Sequence, residues 1–197
     1  MLALRHISKS FDGRSVLRDV SFDFPASAVT ALRGPSGCGK TTLVNIILGL
    51  LAPDAGEVLL PADARVAAVF QEDRLIEHFS AARNVRLTAP AQVTDAQIYA
   101  ALAELRLEDA GEKRVSQFSG GMRRRVAVAR AALYQPQVLL LDEPFKGLDE
   151  DTRAQTAAFL RRVCAQATVV LVTHDAAEAA LMGATAELRL APEKGET

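Results

Sequence analysis

The sequence predicts an α/β fold with a mixed β-sheet, an N-terminal antiparallel β subdomain and an inserted α-helical subdomain. Segments of strand length occur near both ends of the chain: 2–7 alternates apolar and polar residues, and 28–32, 138–141 and 168–172 are apolar runs. Between them, from about 81 to 133, the chain becomes rich in Ala, Leu and Arg at helical spacing. Because wholly apolar runs are typical of buried parallel strands, we expect the helical stretch to interrupt an α/β core.

Length and composition indicate an ordinary globular protein. The chain has 197 residues, of which 49% are hydrophobic and 24% charged, and its net charge is -1. This balance disfavours nucleic acid as a main partner. The apolar stretch Leu43–Ala52 is shorter than the roughly 20 residues that span a bilayer. Residues 1–11 lack the apolar core of a signal peptide, so we expect neither secretion nor membrane insertion.

The first three predicted strands are separated by short connections. Residues 2–7 alternate apolar and polar side chains, Phe11–Gly13 forms a turn, and 16–24 alternates again until Pro25. The run 28–32 follows directly. Connections this short leave no room for crossover helices, so we expect these strands to pair antiparallel.

An amphipathic helix is predicted next. Its apolar face comprises Leu43, Ile46, Ile47 and Leu50. The turn residues Pro53–Gly56 stop it, and strands are expected at 57–60 and 66–70.

The helical stretch has two marked helix starts. Thr94–Gln97 fits a capping box, which predicts a helix start there. A second helix follows Gly120–Gly121. Its apolar face comprises Met122, Val126, Ala129 and Leu133. The remaining predicted segments are strands at 138–141, 168–172 and 185–190, a helix at 149–165 and a loose tail at 192–197.

A glycine-rich loop joins the run 28–32 to the first helix. It fits the pattern G-x-x-x-x-G-K-[ST] in the strand-to-helix context that the pattern requires. Its glycines allow positive φ angles, so consecutive backbone N–H groups surround phosphate oxygens, and the helix N-terminus adds to the attraction. Lys40 then reaches the β- and γ-phosphates, and the Thr41 hydroxyl binds Mg²⁺. The predicted nucleoside triphosphate site comprises Gly34, Pro35, Ser36, Gly37, Cys38, Gly39, Lys40, Thr41 and Thr42.

The structural alternative is a glycine-rich turn with a solvated lysine, which the match at every fixed position disfavours. The two cysteines, Cys38 and Cys164, fit neither a disulfide framework nor a metal site, and indicate a reducing compartment. We expect bound nucleotide to shield Cys38 from alkylation. The simpler interpretation of Cys38 is a small residue that the loop tolerates.

The apolar strand at 138–141 ends in two carboxylates, Asp142 and Glu143. A carboxylate at the end of a buried strand beside the phosphate loop is placed to hold Mg²⁺, directly or through water. Glu143 is placed to orient the attacking water and accept its proton. An acidic pair after a strand is also a common turn, but its combination with the phosphate loop favours the functional interpretation.

The order of the remaining motifs is more specific than any one of them. The segment Phe118–Met122 reads Phe-Ser-Gly-Gly-Met and lies about twenty residues before Asp142. Gln71, Asp149 and His174 fall in the same chain order as the motifs of one family. Over essentially its whole length, the chain resembles an ATP-binding cassette protein, the nucleotide-binding subunit of an ABC transporter.

The resemblance implies roles for the core motifs. The phosphate loop resembles the Walker A loop, and Leu139–Glu143 resembles the Walker B strand with Glu143 as the catalytic glutamate. Gln71 resembles the Q-loop glutamine, which contacts Mg²⁺ and faces the membrane subunits. His174 resembles the switch histidine at the γ-phosphate, and Asp149 lies in the segment that resembles the D-loop.

The resemblance also covers the signature and the adenine contact. Ser119, Gly120 and Gly121 resemble the signature residues that meet a γ-phosphate across a dimer interface. Met122 replaces the glutamine of the commonest signature, so the nucleotide contact made there is in doubt. Phe11 stands where the family has an aromatic ring that stacks on adenine, and a core ring is the structural alternative.

The implied organisation is one ABC ATPase domain over 1–197. A RecA-like core with its antiparallel β subdomain takes 1–80 and 136–197, and a helical signature subdomain takes about 81–135. The resemblance implies ATP and Mg²⁺ as ligands, and a homodimer or a paired ABC subunit packed head to tail. It implies transmembrane permease subunits as partners, a solute-binding protein in the full system, and a cytoplasmic position on the inner face of the cell membrane.

Two local features refine this picture. The segment Val69–Leu75 and the Met-Arg-Arg-Arg run at 122–125 resemble importer ATPases of the nitrate, sulfonate and taurine type. The basic run Arg123–Arg125 is interpreted as a solvated helix face or an anion-attracting surface, because the overall charge is balanced.

The alternative is a soluble ABC-type ATPase that acts in regulation, assembly or nucleic-acid repair rather than transport. Repair ATPases normally carry a long heptad-patterned insertion or a second cassette, and this sequence has neither. A generic P-loop kinase or GTPase is disfavoured by the signature and by His174.

Overall fold

A computed structural model of the chain describes residues 2–191, which form two β-sheets and their covering helices. The strands are β1 (Ala3–Phe11), β2 (Arg14–Asp23), β3 (Val29–Arg33), β4 (Ala55–Leu59), β5 (Val66–Val69), β6 (Val138–Asp142), β7 (Thr168–Val172) and β8 (Ala186–Arg189). The α-helices are α1 (Lys40–Ile47), α2 (Ala81–Arg86), α3 (Asp95–Glu104), α4 (Gly120–Leu133), α5 (Glu150–Val163) and α6 (Ala176–Leu181). Short 3₁₀ helices lie at Glu108–Ala110 and Val115–Gln117. The predicted tail at 192–197 lies outside the described residues.

The central sheet is parallel, with strand order β5-β6-β7-β3-β8. Its two middle strands β6 and β7 are buried at every position, as their apolar sequences predict. Alternate residues face opposite cores: Leu139 and Leu141 join one apolar cluster with the helical part, whereas Val138 and Leu140 join a second cluster with α1 and the antiparallel sheet. The parallel sheet therefore packs against the helical part on one face and against α1 and the antiparallel sheet on the other.

The smaller sheet is antiparallel, with order β2-β1-β4. The predicted α/β fold class is thereby confirmed, with the parallel and antiparallel pairings in separate sheets. The expectation that the 28–32 strand pairs antiparallel with its predecessors is wrong. A turn after Pro25, with Ser27 at a positive φ of 52°, redirects the chain. Strand β3 then pairs in parallel with β7 and β8, which follow much later in the sequence.

The predicted helical stretch lies between β5 and β6 and comprises α2, α3 and α4. The capping box is confirmed: the Gln97 amide donates to the Thr94 hydroxyl oxygen, and the Thr94 amide donates to Gln97 Oε1. The first helix is shorter than predicted. It ends at Ile47, and Gly49 at φ 69° turns Leu50 out to 61% exposure, so Leu50 does not belong to the apolar face. Within residues 2–191, none of the helices has the length and apolar character needed to cross a membrane.

Candidate active site

A pocket of about 380 Å³ opens at the carboxyl edge of the parallel sheet, and we call it the phosphate-loop pocket. The loop after β3, the start of α1, Gln71 and the end of β6 all line it. They lie together because the parallel strands have their carboxyl ends at the same edge of the sheet. Its lining residues are Phe11, Val16, Ser36, Gly37, Gly39, Lys40, Thr41, Thr42, Gln71, Asp142, Glu143 and Val172.

The loop itself has the predicted geometry. Gly37 and Gly39 take positive φ angles of 80° and 93°, and a Cβ atom at Gly39 would lie 2.8 Å from Val16 Cγ1. Lys40 begins α1, and its ammonium turns back to donate to the Gly34 and Pro35 carbonyl oxygens at 2.8 and 2.7 Å. The loop therefore encloses a cation and a helix N-terminus, which together attract phosphate.

Asp142 lies beside the phosphate loop in a buried position, with only 5% of the residue exposed. Thr41 Oγ1 donates to Asp142 Oδ2 at 3.4 Å. Burial raises the pKa of Asp142, and the neighbouring Glu143 charge adds to this, while the Thr41 hydroxyl and Lys40 act in the opposite direction. A cation placed between Thr41 and Asp142 would relieve this unfavourable burial of charge.

The donor chemistry at this position fits Mg²⁺. Thr41 supplies a hydroxyl, Asp142 a carboxylate and Gln71 an amide oxygen on the same pocket wall. Mg²⁺ bound to nucleotides normally takes one or two protein oxygens and completes its shell with phosphate oxygens and water. Among residues 2–191, no group of three or more His, Cys, Asp or Glu side chains is arranged to hold a metal by itself.

Glu143 stands at the mouth of the phosphate-loop pocket in a left-handed backbone conformation, φ 49°. Its Oε2 lies 3.3 Å from the Lys146 ammonium, and its Oε1 lies 3.8 Å from His174 Nδ1. The His174 side chain is 80% exposed and lines a neighbouring cavity with Gly34 and Pro35. The structure thus brings His174 next to Glu143, although it does not line the same pocket.

Phe11, the predicted adenine contact, ends β1 at the rim of the phosphate-loop pocket and is 42% exposed. The alternative of a core ring does not apply to it. The Lys9 ammonium lies 5.5 Å from the centre of the ring. Cys38 is buried beneath the loop, with its Sγ 3.9 Å from Lys40 Nζ.

A second pocket, of about 510 Å³, forms around the start of α4, and we call it the signature pocket. Its lining residues are Asp73, Ser119, Gly120, Gly121, Arg124, Arg125, Lys146, Gly147, Leu148, Asp149 and Thr152. Ser119 caps α4, since its hydroxyl oxygen accepts from the Met122 amide at 3.3 Å. Gly121 permits a close approach, because a Cβ there would lie 3.3 Å from the Gly147 carbonyl oxygen.

Asp149 belongs to the signature pocket and acts as the N-cap of α5. Its two oxygens accept from the Thr152 amide and hydroxyl at 2.9 and 2.8 Å, which lowers the pKa of Asp149. Over the described chain, the phosphate-loop pocket and the signature pocket have no lining residue in common. Ser119, Gly120, Gly121 and Asp149 are therefore not brought to the Lys40 loop of the same chain.

Sequence reasoning missed the side chains that surround the signature. The basic run at 123–125 was expected to be solvated or anion-attracting, but Arg124 is buried, with 5% exposure. A signal for this exists in the sequence, because Arg124 stands four residues before Val128 and eight before Ala132 on the apolar side of α4. The contact of Lys146 with Glu143 was also missed, and only its i,i+3 spacing hints at it.

Comparison with known proteins agrees with this geometry. A family model described as ABC transporter matches residues 17–146. The sulfate/thiosulfate import ATP-binding protein of Thermosynechococcus vestitus is 39% identical over 90% of this chain and 58% of its own length. The taurine import ATP-binding protein of Roseobacter denitrificans is 37% identical over 92% of this chain and 73% of its own. The chain thus spans little more than half of the first relative.

A solved structure shows the same fold. It is the dimeric structure of a post-hydrolysis state of an ATP-binding cassette bound to ADP and phosphate. It superposes with a TM-score of 0.86 at 28% identity, and the match covers 98% of this chain and 97% of that one. With the family match over residues 17–146 and the two pockets described above, the chain belongs to the ABC transporter family.

Proposed function

We propose that this chain binds and hydrolyses ATP as the ATP-binding subunit of an ABC transporter. The observation that carries the proposal is the separation of two half-sites on one chain. The phosphate-loop pocket holds Lys40, Asp142 and Glu143, whereas the signature residues line a different pocket. Two copies packed head to tail bring the signature pocket of one against the phosphate-loop pocket of the other, so each ATP is enclosed by both copies.

The residues of the phosphate-loop pocket divide the work of hydrolysis. Lys40 and the loop N–H groups bind the β- and γ-phosphates, and Phe11 stacks on the adenine. Thr41, Asp142 and Gln71 would hold Mg²⁺, and the bound ion would neutralise charge on the phosphate oxygens. Glu143 accepts the proton of the attacking water.

The neighbouring groups complete the site. His174, whose Nδ1 lies 3.8 Å from Glu143 Oε1, contacts the γ-phosphate. From the second copy, Ser119, Gly120 and Gly121 present a hydroxyl and a helix N-terminus to the γ-phosphate. Asp149 orders the start of α5 beside this surface through its contacts with Thr152.

Closure of the dimer drives the partner subunits. ATP binds the closed dimer more tightly than the open one, so binding shifts the population to the closed state and hydrolysis releases it. We propose that the exposed Gln71 region transmits this motion to transmembrane permease subunits on the inner face of the cell membrane. The two curated relatives are named as import ATP-binding proteins, which favours transport, in the import direction, over a soluble regulatory, assembly or repair ATPase.

A solute-binding protein is part of the proposed importer. One relative is named for the import of sulfate and thiosulfate, and the other for the import of taurine. The two names therefore do not indicate a single transported solute for this chain. The taurine relative agrees with the resemblance of the Val69–Leu75 segment to taurine-type importers.

The test is the solution mass of Glu143→Gln, measured by light scattering with and without Mg-ATP. We expect a monomer without nucleotide and a dimer with it, because the variant retains ATP binding but does not hydrolyse the ATP that holds the copies together. Glu57→Gln, a change at an exposed residue that lines neither pocket, should form no stable dimer. A Glu143→Gln variant that stays monomeric even when Met122 is also changed to Gln would contradict the composite site.

The transport assignment has its own test. The tagged chain, purified from its native membrane in mild detergent, should bring down a polytopic membrane protein. Recovery of the chain without such a partner, alongside a normal ATP-dependent dimer, would favour the soluble alternative.

A further inference from the structure

The segment that follows β5 has an unusual attachment to the signature helix. Residues 70–74 form neither helix nor strand, so their carbonyl oxygens need partners from elsewhere. Two arginines of α4 supply them. Arg124 donates to the carbonyl oxygens of Phe70 and Gln71, both at 2.5 Å, and Arg130 donates to those of Asp73 and Arg74 at 3.1 and 2.9 Å.

Arg124 is the tighter of the two attachments. It is buried, with 5% exposure, and its Nε lies 3.3 Å from Asp73 Oδ1, which places a carboxylate beside the guanidinium. A planar guanidinium that binds two adjacent carbonyl oxygens fixes both position and orientation, which a single flexible bond does not. A shift of this part of α4 must therefore shift the backbone of Gln71.

Arg124 and the Gln71 backbone that it binds belong to different pockets. Arg124 lines the signature pocket with Ser119 and Gly121, whereas Gln71 lines the phosphate-loop pocket with Lys40 and Asp142. Ser119 is the N-cap of the helix that carries Arg124 five residues later, about 7.5 Å along the axis. Arg124 lines the signature pocket only, and its hydrogen bond to the Gln71 carbonyl oxygen connects it to the phosphate-loop pocket, with which the signature pocket shares no lining residue in the described chain.

We propose that Arg124 is a positioning residue that transmits the state of the signature pocket to Gln71 of the same chain. The inference rests on the proposed function, in which the signature pocket of one copy faces the ATP of the other. Within such a dimer, ATP held against Ser119 and Gly121 fixes the start of α4. Through Arg124 this fixes Gln71 at the copy's own ATP. The two ATP sites are then coupled through one guanidinium per chain.

The experiment measures ATPase rate against ATP concentration for the wild type, Arg124→Met and Arg124→Lys. Methionine has similar length and no donor. We expect the Hill coefficient to fall from clearly above 1 to about 1 and turnover to fall roughly 2- to 30-fold, the range typical of residues in a coupling network. Lysine keeps the charge beside Asp73 but not the paired donors, so it should restore the Hill coefficient in part.

Arg123→Met is the matched control, because it removes the same charge one residue earlier. The Arg123 side chain donates to Glu77 on the surface and does not line the signature pocket. Its Hill coefficient should equal that of the wild type. Loss of folded protein would also lower the concentration of copies that can dimerise. Thermal melting of each variant, and assays at equal concentrations of folded protein, therefore separate instability from lost coupling.

Two outcomes overturn the inference. Arg124→Met with an unchanged Hill coefficient would show that Arg124 carries no coupling. A wild type that hydrolyses ATP without cooperativity would show that there is no coupling to carry. The ATP-dependent dimer of Glu143→Gln separates failure of the inference from failure of the proposed function. A dimer alongside either result removes only the inference, whereas a monomer that persists when Met122 is also changed to Gln removes the composite site of the proposed function as well.

Discussion

The two pockets of this molecule are built from different kinds of structure. The phosphate-loop pocket stands on the ends of β1, β3, β5 and β6 and on the start of α1, and β6 and β7 behind it are buried at every position. The signature pocket is bounded by the N-termini of α4 and α5 and by the loop between β6 and α5. In the proposed function, the chemistry lies on the edge of a buried sheet, and the surface that completes it in the second copy lies at the starts of helices.

The carboxylates of the two pockets show the same contrast. Burial and the Glu143 charge raise the pKa of Asp142, whereas hydrogen bonds from Thr152 lower the pKa of Asp149. Asp142 is held in a position that is unfavourable without a cation, which is expected of a metal ligand. Asp149 is already satisfied by the helix that it caps. We therefore expect a cation to stabilise Asp142 in the phosphate-loop pocket, whereas Asp149 in the signature pocket already has its hydrogen-bond partners.

The largest expected effect is that of Glu143→Gln, which should strongly reduce ATP hydrolysis without preventing the ATP-dependent closure of the dimer. Glu143→Gln keeps the shape of the side chain but removes the proton acceptor, so ATP turnover should fall on the order of 10²- to 10⁴-fold while ATP binding persists. Steady-state phosphate release measures this, with Glu57→Gln as the control. Turnover near the wild-type value would remove Glu143 from its proposed role.

The second prediction removes binding together with chemistry. Lys40→Ala takes away the ammonium that lies in the phosphate loop, and turnover should fall on the order of 10²- to 10³-fold with weaker ATP binding. Titration calorimetry and phosphate release measure the two effects. Lys113→Ala, a change at an exposed lysine that lines neither pocket, is the control. Unchanged affinity together with unchanged turnover would exclude Lys40 from phosphate binding.

The phosphate-loop pocket could be predicted from the sequence because its signals are local. The loop, the apolar strands around it and the carboxylates after β6 each follow from a few consecutive residues. The capping box of α3 is equally local, since Thr94 and Gln97 satisfy each other. Such features depend little on the rest of the chain.

The features that could not be predicted depend on distant parts of the chain. Strand β3 pairs with β7 and β8, and the sequence of residues 28–32 does not indicate which strands it pairs with. Leu50 fits the helical spacing, but the left-handed Gly49 ends the helix first. Arg124 looks like part of a basic surface until the carbonyl oxygens of Phe70 and Gln71, more than fifty positions earlier, are brought beside it.

The third prediction concerns Met122, which follows the signature glycines at the start of α4. Met122→Gln supplies an amide where methionine has no effective donor, so the ATP-dependent dimer of the Glu143→Gln variant should tighten roughly 2- to 10-fold, as expected for one net hydrogen bond. Met122→Leu, which has no amide, should leave the dimer unchanged. The concentration at half-dimerisation, from sedimentation, measures this. Equal behaviour of the Gln and Leu variants would show that position 122 makes no contact with nucleotide.

The smallest expected effects are changes in thermal stability, and they test the opposite pKa shifts of Asp142 and Asp149. The folded state holds the pKa of Asp142 above its unfolded value, so the charged form destabilises the fold above that pKa. Asp142→Asn should therefore raise the melting temperature at neutral pH, and the gain should disappear as the pH falls through the folded pKa. Asp149 has a lowered pKa, so Asp149→Ala should lower the melting temperature, and the part of the loss due to its charge should disappear as the pH falls below its unfolded value.

Melting curves of the wild type and the two variants without nucleotide, from neutral pH down to about pH 2, well below the ordinary pKa of an aspartate, measure both effects. Asp142→Asn should also lose Mg-dependent ATPase activity while its melting temperature rises. This is expected of a metal-ligand residue that lowers the stability of the fold. A melting temperature that Asp142→Asn leaves unchanged or lowers at neutral pH would show that the buried carboxylate is not destabilising. The contrast between a pocket prepared for a cation and a surface already satisfied would then no longer hold.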